Sequence, residues 1–159
     1  MIMSVTPDFL AGRQHLEILR SHAVDGVILW DVFRDDERLQ EMIGEGKPIL
    51  KAAFPSDMLN DLILPDNFQG SYDIAKHLID QGHTRIAHVA GGHTRVDHER
   101  EAGYRKAIED AGFTPILLEG EFSFKSGYEW AERVVKKDPK ITAIMAANDS
   151  AAAGCLRRL

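Results

Sequence analysis

Residues 84–112 read TRIAHVAGGHTRVDHEREAGYRKAIEDAG, and this stretch decides the fold. It begins with a short apolar run, residues 86–90, of the kind found in strands that are buried on both faces of a parallel sheet. Two glycines and a polar segment follow, and a helix closes the unit with Gly112 as its stop. In open α/β sheets ligands bind beyond the carboxyl ends of the strands, and the polar segment emerges from such an end.

The same alternation of apolar strand and amphipathic helix continues on both sides of this unit. Strands are predicted at residues 1–5, 24–30, 48–52, 62–64, 86–90, 115–118 and 142–147, and helices at about 9–22, 35–44 and about 124–137. Three further helices are predicted: one that stops at Gly82, one that stops at Gly112, and a last one that runs to Leu159. This order predicts a mostly parallel sheet with helices on both faces. The segment Pro65-Asp66-Asn67 ends a strand and supplies Asp66 or Asn67 as a helix cap, and it is the one plausible lobe boundary.

Apolar spacing assigns an inward face to each helix. The residues predicted to face inward are Leu39, Met42, Ile43, Ile74, Ala75, Leu78, Ile79, Tyr104, Ala107, Ile108, Ala111, Trp130, Ala131, Val134 and Val135. Asn148 or Asp149 is expected to cap the last helix. Cys155 is expected to fill the core as a small apolar side chain.

Composition excludes several classes of protein. The formal net charge of −6 argues against nucleic acid as a partner of this segment, because DNA binding needs clustered basic residues. No apolar run is long enough to span a bilayer, so no membrane partner is expected. The first twelve residues do not resemble a signal peptide, and the single Cys155 cannot form an internal disulfide. The cytoplasm is therefore the predicted compartment.

The polar segment contains residue types that are found in metal and catalytic sites, but their spacing does not match that of such a site. Four potential metal ligands lie in it: His93, Asp97, His98 and Glu99. No second half of a ligand set accompanies them, so we predict a solvated loop with no metal and no cofactor. The pair Gly91-Gly92 lacks the Lys-Ser/Thr of a phosphate-binding loop, and a tight turn is the simpler interpretation. We find no nucleophile elbow and no paired catalytic set, so no enzyme activity is predicted.

Seven short segments stand in a characteristic order and spacing along the chain. They are residues 24–29 (VDGVIL), 66–70 (DNFQG), 78–91 (LIDQGHTRIAHVAG), 100–107 (REAGYRKA), 119–122 (EGEF), 126–128 (SGY) and 142–149 (TAIMAAND). Together they resemble the LacI family of bacterial transcription regulators. No single segment is decisive, but the set covers nearly the whole chain.

The resemblance implies an α/β, periplasmic-binding-protein-like fold with two lobes around a ligand cleft. Residues 1–65 would be part of the N-terminal lobe and residues 66–159 part of the C-terminal lobe. The match implies a chain truncated at both ends, so that the fold is incomplete and the DNA-binding helix-turn-helix is absent. The implied partners are a small-molecule effector, either a sugar or a purine-like compound, a second copy in a homodimer, and DNA through that absent segment.

The resemblance also implies three ligand-binding residues. Arg100 matches an arginine that grips effector hydroxyls or a carboxylate, Asn148 matches an asparagine at a strand end, and Phe122 matches an aromatic position against which sugars pack. The residues alone leave alternatives open. Arg100 could pair on the surface with Glu99 or Glu101, Asn148 could be simply a cap, and Phe122 could be ordinary core. We expect Arg100 and Asn148 to meet over the same rim of a sheet, with Asp149 beside them as a helix cap.

The favoured hypothesis is therefore a non-enzymatic, ligand-binding and dimerising segment of a transcriptional repressor. A transport-type sugar-binding protein of the same fold is the alternative. An α/β enzyme acting through residues 91–100 ranks last.

Overall fold

Two parallel sheets, each within its own part of the chain, make up the fold. The structure is a computed structural model that describes residues 2–5, 24–30, 37–53 and 56–159. It divides into two compact units, Met1–Pro65 and Asp66–Leu159. Among the described residues, no helix combines the length and the apolar character needed to cross a membrane. The helix predicted at residues 9–22 lies outside the described part.

The first unit contains a four-stranded parallel sheet in the order β1-β2-β3-β4. Its elements are β1 (Ile2–Val5), β2 (Gly26–Trp30), α1 (Glu37–Gly44), β3 (Ile49–Ala52) and β4 (Leu62–Ile63). Leu39 and Met42 of α1 are fully buried, as predicted. Ile43 is 39% exposed, so its predicted inward orientation is wrong. Ile43 directly follows Met42, so it lies about 100° further around the helix axis and outside the buried face.

The second unit alternates helix and strand throughout. Its elements are α2 (Asn67–Asp80), β5 (Ile86–Val89), α3 (Arg95–Asp110), β6 (Ile116–Leu118), α4 (Phe124–Lys137), β7 (Ala143–Ala146) and α5 (Asp149–Arg158). The three strands form a parallel sheet in the order β6-β5-β7, with β5 in the centre. All four residues of β5 are buried, which confirms the strand that the apolar run predicts.

The two faces of β5 carry different helix pairs. His88 stacks on the ring of Tyr104 from α3 with 5.1 Å between ring centroids, and the Tyr104 hydroxyl donates to the carbonyl of Ile86 at 2.8 Å. Because strand side chains alternate, Val89 faces the other way, and both Val89 Cγ1 and Ser126 Oγ of α4 lie beside Gly120. Helices therefore cover both faces of this sheet, with α2 and α3 packed together on one and α4 and α5 on the other.

Glycines allow the second helix pair to approach closely. A Cβ at Gly127 of α4 would overlap the carbonyl group of Ala151, and a Cβ at Gly154 of α5 would overlap that of Phe124. Cys155 is buried in the same contact and donates from its Sγ to the carbonyl of Gly127 at 3.3 Å. Its predicted role as a small core residue is confirmed.

The helix ends and faces of this unit follow most of the sequence predictions. Asp66 caps α2, because its side chain accepts a hydrogen bond from the backbone N–H of Gln69 at 2.8 Å. The predicted inward orientations of Ile74 and Val135 are wrong, since their side chains are 54% and 41% exposed. Trp130 is half-buried. In α2 and α4, the apolar face indicated by the sequence is wider than the face that the neighbouring helix and the sheet bury.

Candidate functional site

The strand register brings three loops to one edge of the second sheet. Val89 of β5 pairs with Leu118 of β6 and with Ala146 of β7, so the three strands end at the same level. Backbone hydrogen bonds continue just past these pairs, from Ala90 N to Leu118 O at 2.9 Å and from Ala147 N to Val89 O at 3.0 Å. Side chains that follow the strands are therefore held over a common rim, where α/β sheets bind ligands.

Helix α3 starts earlier than the sequence interpretation places it. Thr94 caps the helix, and a reciprocal capping box joins it to Asp97: Asp97 N donates to Thr94 Oγ1 at 3.3 Å and Thr94 N donates to Asp97 Oδ2 at 3.1 Å. The prediction of a solvated loop here is wrong, because residues 95–100 are helical and Asp97 is 3% exposed. No group of three potential metal ligands converges anywhere in the described residues.

Arg100 points across the rim and is tied to two other segments. Its Nε donates to Asn67 Oδ1 at 3.0 Å, and its Nη1 donates to the carbonyl of Ala147, directly after β7. Asn67 is itself buried and donates from Nδ2 to Glu99 Oε2 at 3.2 Å. The guanidinium is thus held in place by neutral acceptors from α2 and from the end of β7.

The acidic neighbours of Arg100 pair with other arginines. Glu99 pairs with Arg95 at 2.8 Å and Glu101 with Arg105 at 2.8 Å, both one helical turn away. In the described part of the chain, no carboxylate lies within ion-pair distance of the Arg100 guanidinium. The alternative of a surface arginine paired with Glu99 or Glu101 is therefore wrong.

Phe122 lies beside Arg100. The Cζ of Arg100 is 5.9 Å from the centroid of the Phe122 ring, within the range of a cation–π interaction. The ring is half-buried, so part of it remains accessible.

The two polar atoms of the Asn148 side-chain amide make different contacts. Its Oδ1 accepts a hydrogen bond from Ala151 N at 2.9 Å, which makes Asn148 the N-cap of α5. Its Nδ2 lies 3.5 Å from the carbonyl oxygen of Phe122, which is long for a hydrogen bond. Asp149 sits in the first turn and is exposed, so the prediction that Asp149 caps the helix is wrong. The extended backbone of Asn148, with φ −154°, is the usual conformation of a cap.

The structure brings Arg100, Phe122 and Asn148 together at one rim. Their ligand-binding role stays a prediction, but the geometric condition for it is met. Sequence reasoning missed Asn67, which positions Arg100 from 33 residues away and leaves no local signal. It also missed the structural role of Asp97, although Thr94-x-x-Asp97 is a helix-start pattern that could have revealed it.

A polar cavity of about 350 Å³ opens beside the loop that carries Phe122. It is lined by His93, Glu119, Gly120, Glu121, Ser123, Lys125, Ser126, Glu129 and Trp130. None of the three predicted ligand residues lines it. Because Lys125 and Arg133 lie 3.9 Å and 4.0 Å from Glu129, the acidic side of this cavity is partly balanced by the chain's own cations.

His88 is the buried titratable group beneath the rim. Burial lowers the pKa of its imidazole, which is 1% exposed. The hydrogen bond from Nδ1 to the Met145 carbonyl, at 3.1 Å, and the charges of Glu101 and Asp97 act in the opposite direction, while the Arg100 charge lowers the pKa further. The net effect favours a neutral ring at neutral pH.

Known proteins resemble this chain over most of its length. Residues 6–159 match the family described as periplasmic binding proteins and sugar binding domain of LacI family. The HTH-type transcriptional repressor PurR of Mannheimia succiniciproducens is 33% identical over 156 residues, which are 94% of this chain and 46% of the repressor. The chain thus spans about half the length of the curated relatives that it matches.

Solved structures of LacI-family regulators share its fold. A LacI-family regulatory protein from Chloroflexus aggregans superposes with a TM-score of 0.78 at 27% identity, over 97% of this chain and 57% of that one. A LacI-family regulator from Enterococcus faecium with bound ribose gives a TM-score of 0.72 at 28% identity, over 90% of this chain and 55% of that one.

Replacing His88 by Phe should flatten the pH dependence of stability. The folded-state pKa of His88 lies below its unfolded value of about 6.5, so its contribution is complete above that pH and is lost as the pH falls toward the folded value. Urea unfolding of the intact protein between pH 7.5 and 5 should show a smaller loss of unfolding free energy for His88→Phe than for wild type. The exposed His77, replaced by Asn, is the control and should leave the slope as in wild type.

Proposed function

We propose, from the premise that this chain belongs to the family of periplasmic binding proteins and LacI-type sugar-binding domains, that it recognises a small-molecule effector for a transcription regulator. Residues 1–65 and 66–159 would be parts of the two lobes of the effector-binding domain. DNA would be bound through a helix-turn-helix outside these 159 residues, in the cytoplasm. The chain itself would bind the effector and transmit the resulting conformational change, and it would catalyse no reaction.

The observation that carries the proposal is the meeting of Arg100, Phe122 and Asn148 over one sheet rim. Arg100 uses Nε and Nη1 on protein acceptors, and no described acceptor takes a hydrogen bond from its Nη2. The Nδ2 of Asn148 is a second donor with little use inside the protein. An aromatic surface near two donors suits a ligand that has both apolar faces and hydroxyl or carbonyl acceptors.

A sugar fits this arrangement best. A guanidinium can bind vicinal hydroxyls with two donors in a fixed geometry, and the C–H faces of a sugar ring pack on an aromatic ring. The structure with bound ribose from Enterococcus faecium supports this choice. A purine-like effector is the second candidate, because a planar base also stacks on Phe122 and offers acceptors to the same donors.

Signalling would follow from a shift between conformational states. An effector changes the balance only to the extent that it binds one state more tightly than the other. Arg100 links α2, α3 and the end of β7 through its side-chain contacts. A ligand bound to its Nη2 would therefore stabilise the relative arrangement of three segments at once.

A transport-type binding protein of the same family remains the alternative function. The adjoining gene sequence separates the two: an upstream helix-turn-helix supports the regulator, and an export signal supports transport. An enzyme would need turnover that depends on His98 or Asp97, and the buried, capping position of Asp97 disfavours it.

Replacing Arg100 by Ala in the intact protein should weaken effector binding by about 10- to 100-fold, the usual worth of a hydrogen bond to a charged group. Calorimetry with ribose, cellobiose, glucose and hypoxanthine would measure this. Arg105→Ala is the matched control, since Arg105 lies on the same helix and pairs with Glu101 at the surface. Equal affinities in Arg100→Ala and Arg105→Ala would exclude Arg100 from the site.

Replacing Asn148 by Asp separates its two tasks. Aspartate caps a helix as well as asparagine does, so the thermal midpoint should stay near that of wild type. The Nδ2 donor is lost, and effector affinity should fall. Asn148→Ala should lower both quantities. Unchanged affinity in Asn148→Asp, measured with the compound that binds wild type, would leave Asn148 as a cap alone.

A homodimer is the assembly proposed for the intact protein, because regulators that read two-fold DNA sites bind as symmetric pairs. Leu156 on α5 is 80% exposed and Phe124 on α4 is 48% exposed, which supplies apolar surface for a partner. Sedimentation at micromolar concentration should show a dimer that Leu156→Asp dissociates. Ile74→Asp, at an exposed apolar position on α2, should leave the dimer intact. A monomeric wild type would refute the assembly.

A further inference from the structure

The ring of Phe122 rests against a residue that has no side chain. A Cβ added to Gly91 would lie less than 3.0 Å from Phe122 Cδ1, from Phe122 Cε1 and from Asp97 Oδ1. The ring and the carboxylate thus converge on the Cα of Gly91 from two elements, the loop after β6 and the first turn of α3. Any side chain at this position would push one of them away.

Asp97 is buried without a complete set of hydrogen bonds. Its Oδ2 accepts from the backbone N–H of Thr94 at 3.1 Å and from the Thr94 hydroxyl at 2.7 Å. Among the described residues, no donor forms a hydrogen bond with its Oδ1, although Asp97 is 3% exposed. Buried polar atoms are nearly always paired, so an unpaired carboxylate oxygen needs a physical reason.

The Phe122 ring is the neighbour of this oxygen. The guanidinium of Arg100 lies over the ring, and Asp97 Oδ1 shares the space beside Gly91 with Phe122 Cδ1 and Cε1, because all three atoms lie within 2.6 Å of the position that a Cβ on Gly91 would take. The positive edge of an aromatic ring is a favourable neighbour for a carboxylate oxygen. Contacts from Arg100 and Asp97 thus restrict the ring, and Gly91 leaves the room for them.

We propose that Gly91 and Asp97 are positioning residues that fix the orientation of Phe122 and thereby set which ligands the rim accepts. This inference rests on the proposed function, in which Phe122 is the surface on which a ligand packs. Gly91 acts by leaving space and Asp97 by its unpaired oxygen. Neither residue needs to touch the ligand.

Ligand affinities in a double-mutant cycle test whether Gly91 acts through Phe122. The probe is whichever of ribose, cellobiose, glucose and hypoxanthine binds the intact wild type most tightly. Gly91→Ala and Phe122→Ala should each weaken its binding by about 3- to 10-fold, the worth of an aromatic contact. In the Phe122→Ala background, Gly91→Ala should cause little further loss, because the carboxylate can then turn into the space that the ring has left.

A spectroscopic readout tests the ring orientation without a ligand. The intact protein is labelled with 4-fluorophenylalanine, and the Phe122 signal is identified by its absence in Phe122→Leu. Gly91→Ala and the nearly isosteric Asp97→Asn should both move this fluorine signal. Gly70→Ala is the control, because a Cβ at Gly70 would meet nothing within 4 Å, and it should leave the signal unchanged.

Each of the two measurements has a result that would overturn the proposal. Additive affinity losses in the cycle, or a Phe122 signal that neither variant moves, would overturn the positioning role. If Gly91→Ala does not fold, Asp97→Asn carries both measurements, since its amide oxygen can retain the cap to Thr94. If the wild type binds none of the probes, the proposed function fails, and the fluorine spectrum still decides the positioning role by itself.

Discussion

The parallel pairing of β5 with β6 and β7 is the constraint on which the candidate site depends. Because Val89, Leu118 and Ala146 stand level, the chain leaves all three strands at one rim. Residues that are far apart in sequence, such as Arg100 and Asn148, can meet there without any direct bond between them. The register of β5 is specified by the different neighbours on its two faces, because a slip of one residue would turn His88 away from the ring of Tyr104.

The side chain of Arg100 is held in one orientation by contacts within the protein. A free arginine side chain loses considerable rotamer freedom on binding, and that loss opposes association. Here the bonds to Asn67 Oδ1 and the Ala147 carbonyl fix the guanidinium in advance, with neutral acceptors that leave its charge uncompensated by any described carboxylate. If Arg100 binds the effector as proposed, the same contacts would couple the bound ligand to the mutual positions of α2, α3 and the end of β7.

Local sequence patterns predicted the helices and strands of the second unit well, but they did not predict contacts between residues that are far apart in sequence. The strand at β5 and the cap at Asp66 are found as expected, because neighbouring residues determine burial and capping. The expectation that Arg100 and Asn148 lie at one rim came from the family resemblance and not from a local pattern. The exposed Ile74 shows the limit of periodicity, which gives the centre of an apolar face and not its width. Asn67 contacts Arg100 across 33 residues, and no local pattern encodes such a partner.

The two carboxylate oxygens of Asp97 have different structural roles. Through Oδ2 it completes the capping box that starts α3, and so it fixes where along the chain Arg100 enters the rim. Through Oδ1 it lies against Gly91 and the Phe122 ring, and so it bears on the aromatic surface beside Arg100. An aspartate that simply capped the helix would do so equally well with its second oxygen in water. Because no described donor reaches Oδ1, we attribute the burial of this oxygen to the packing around Gly91 and Phe122 and not to the helix cap.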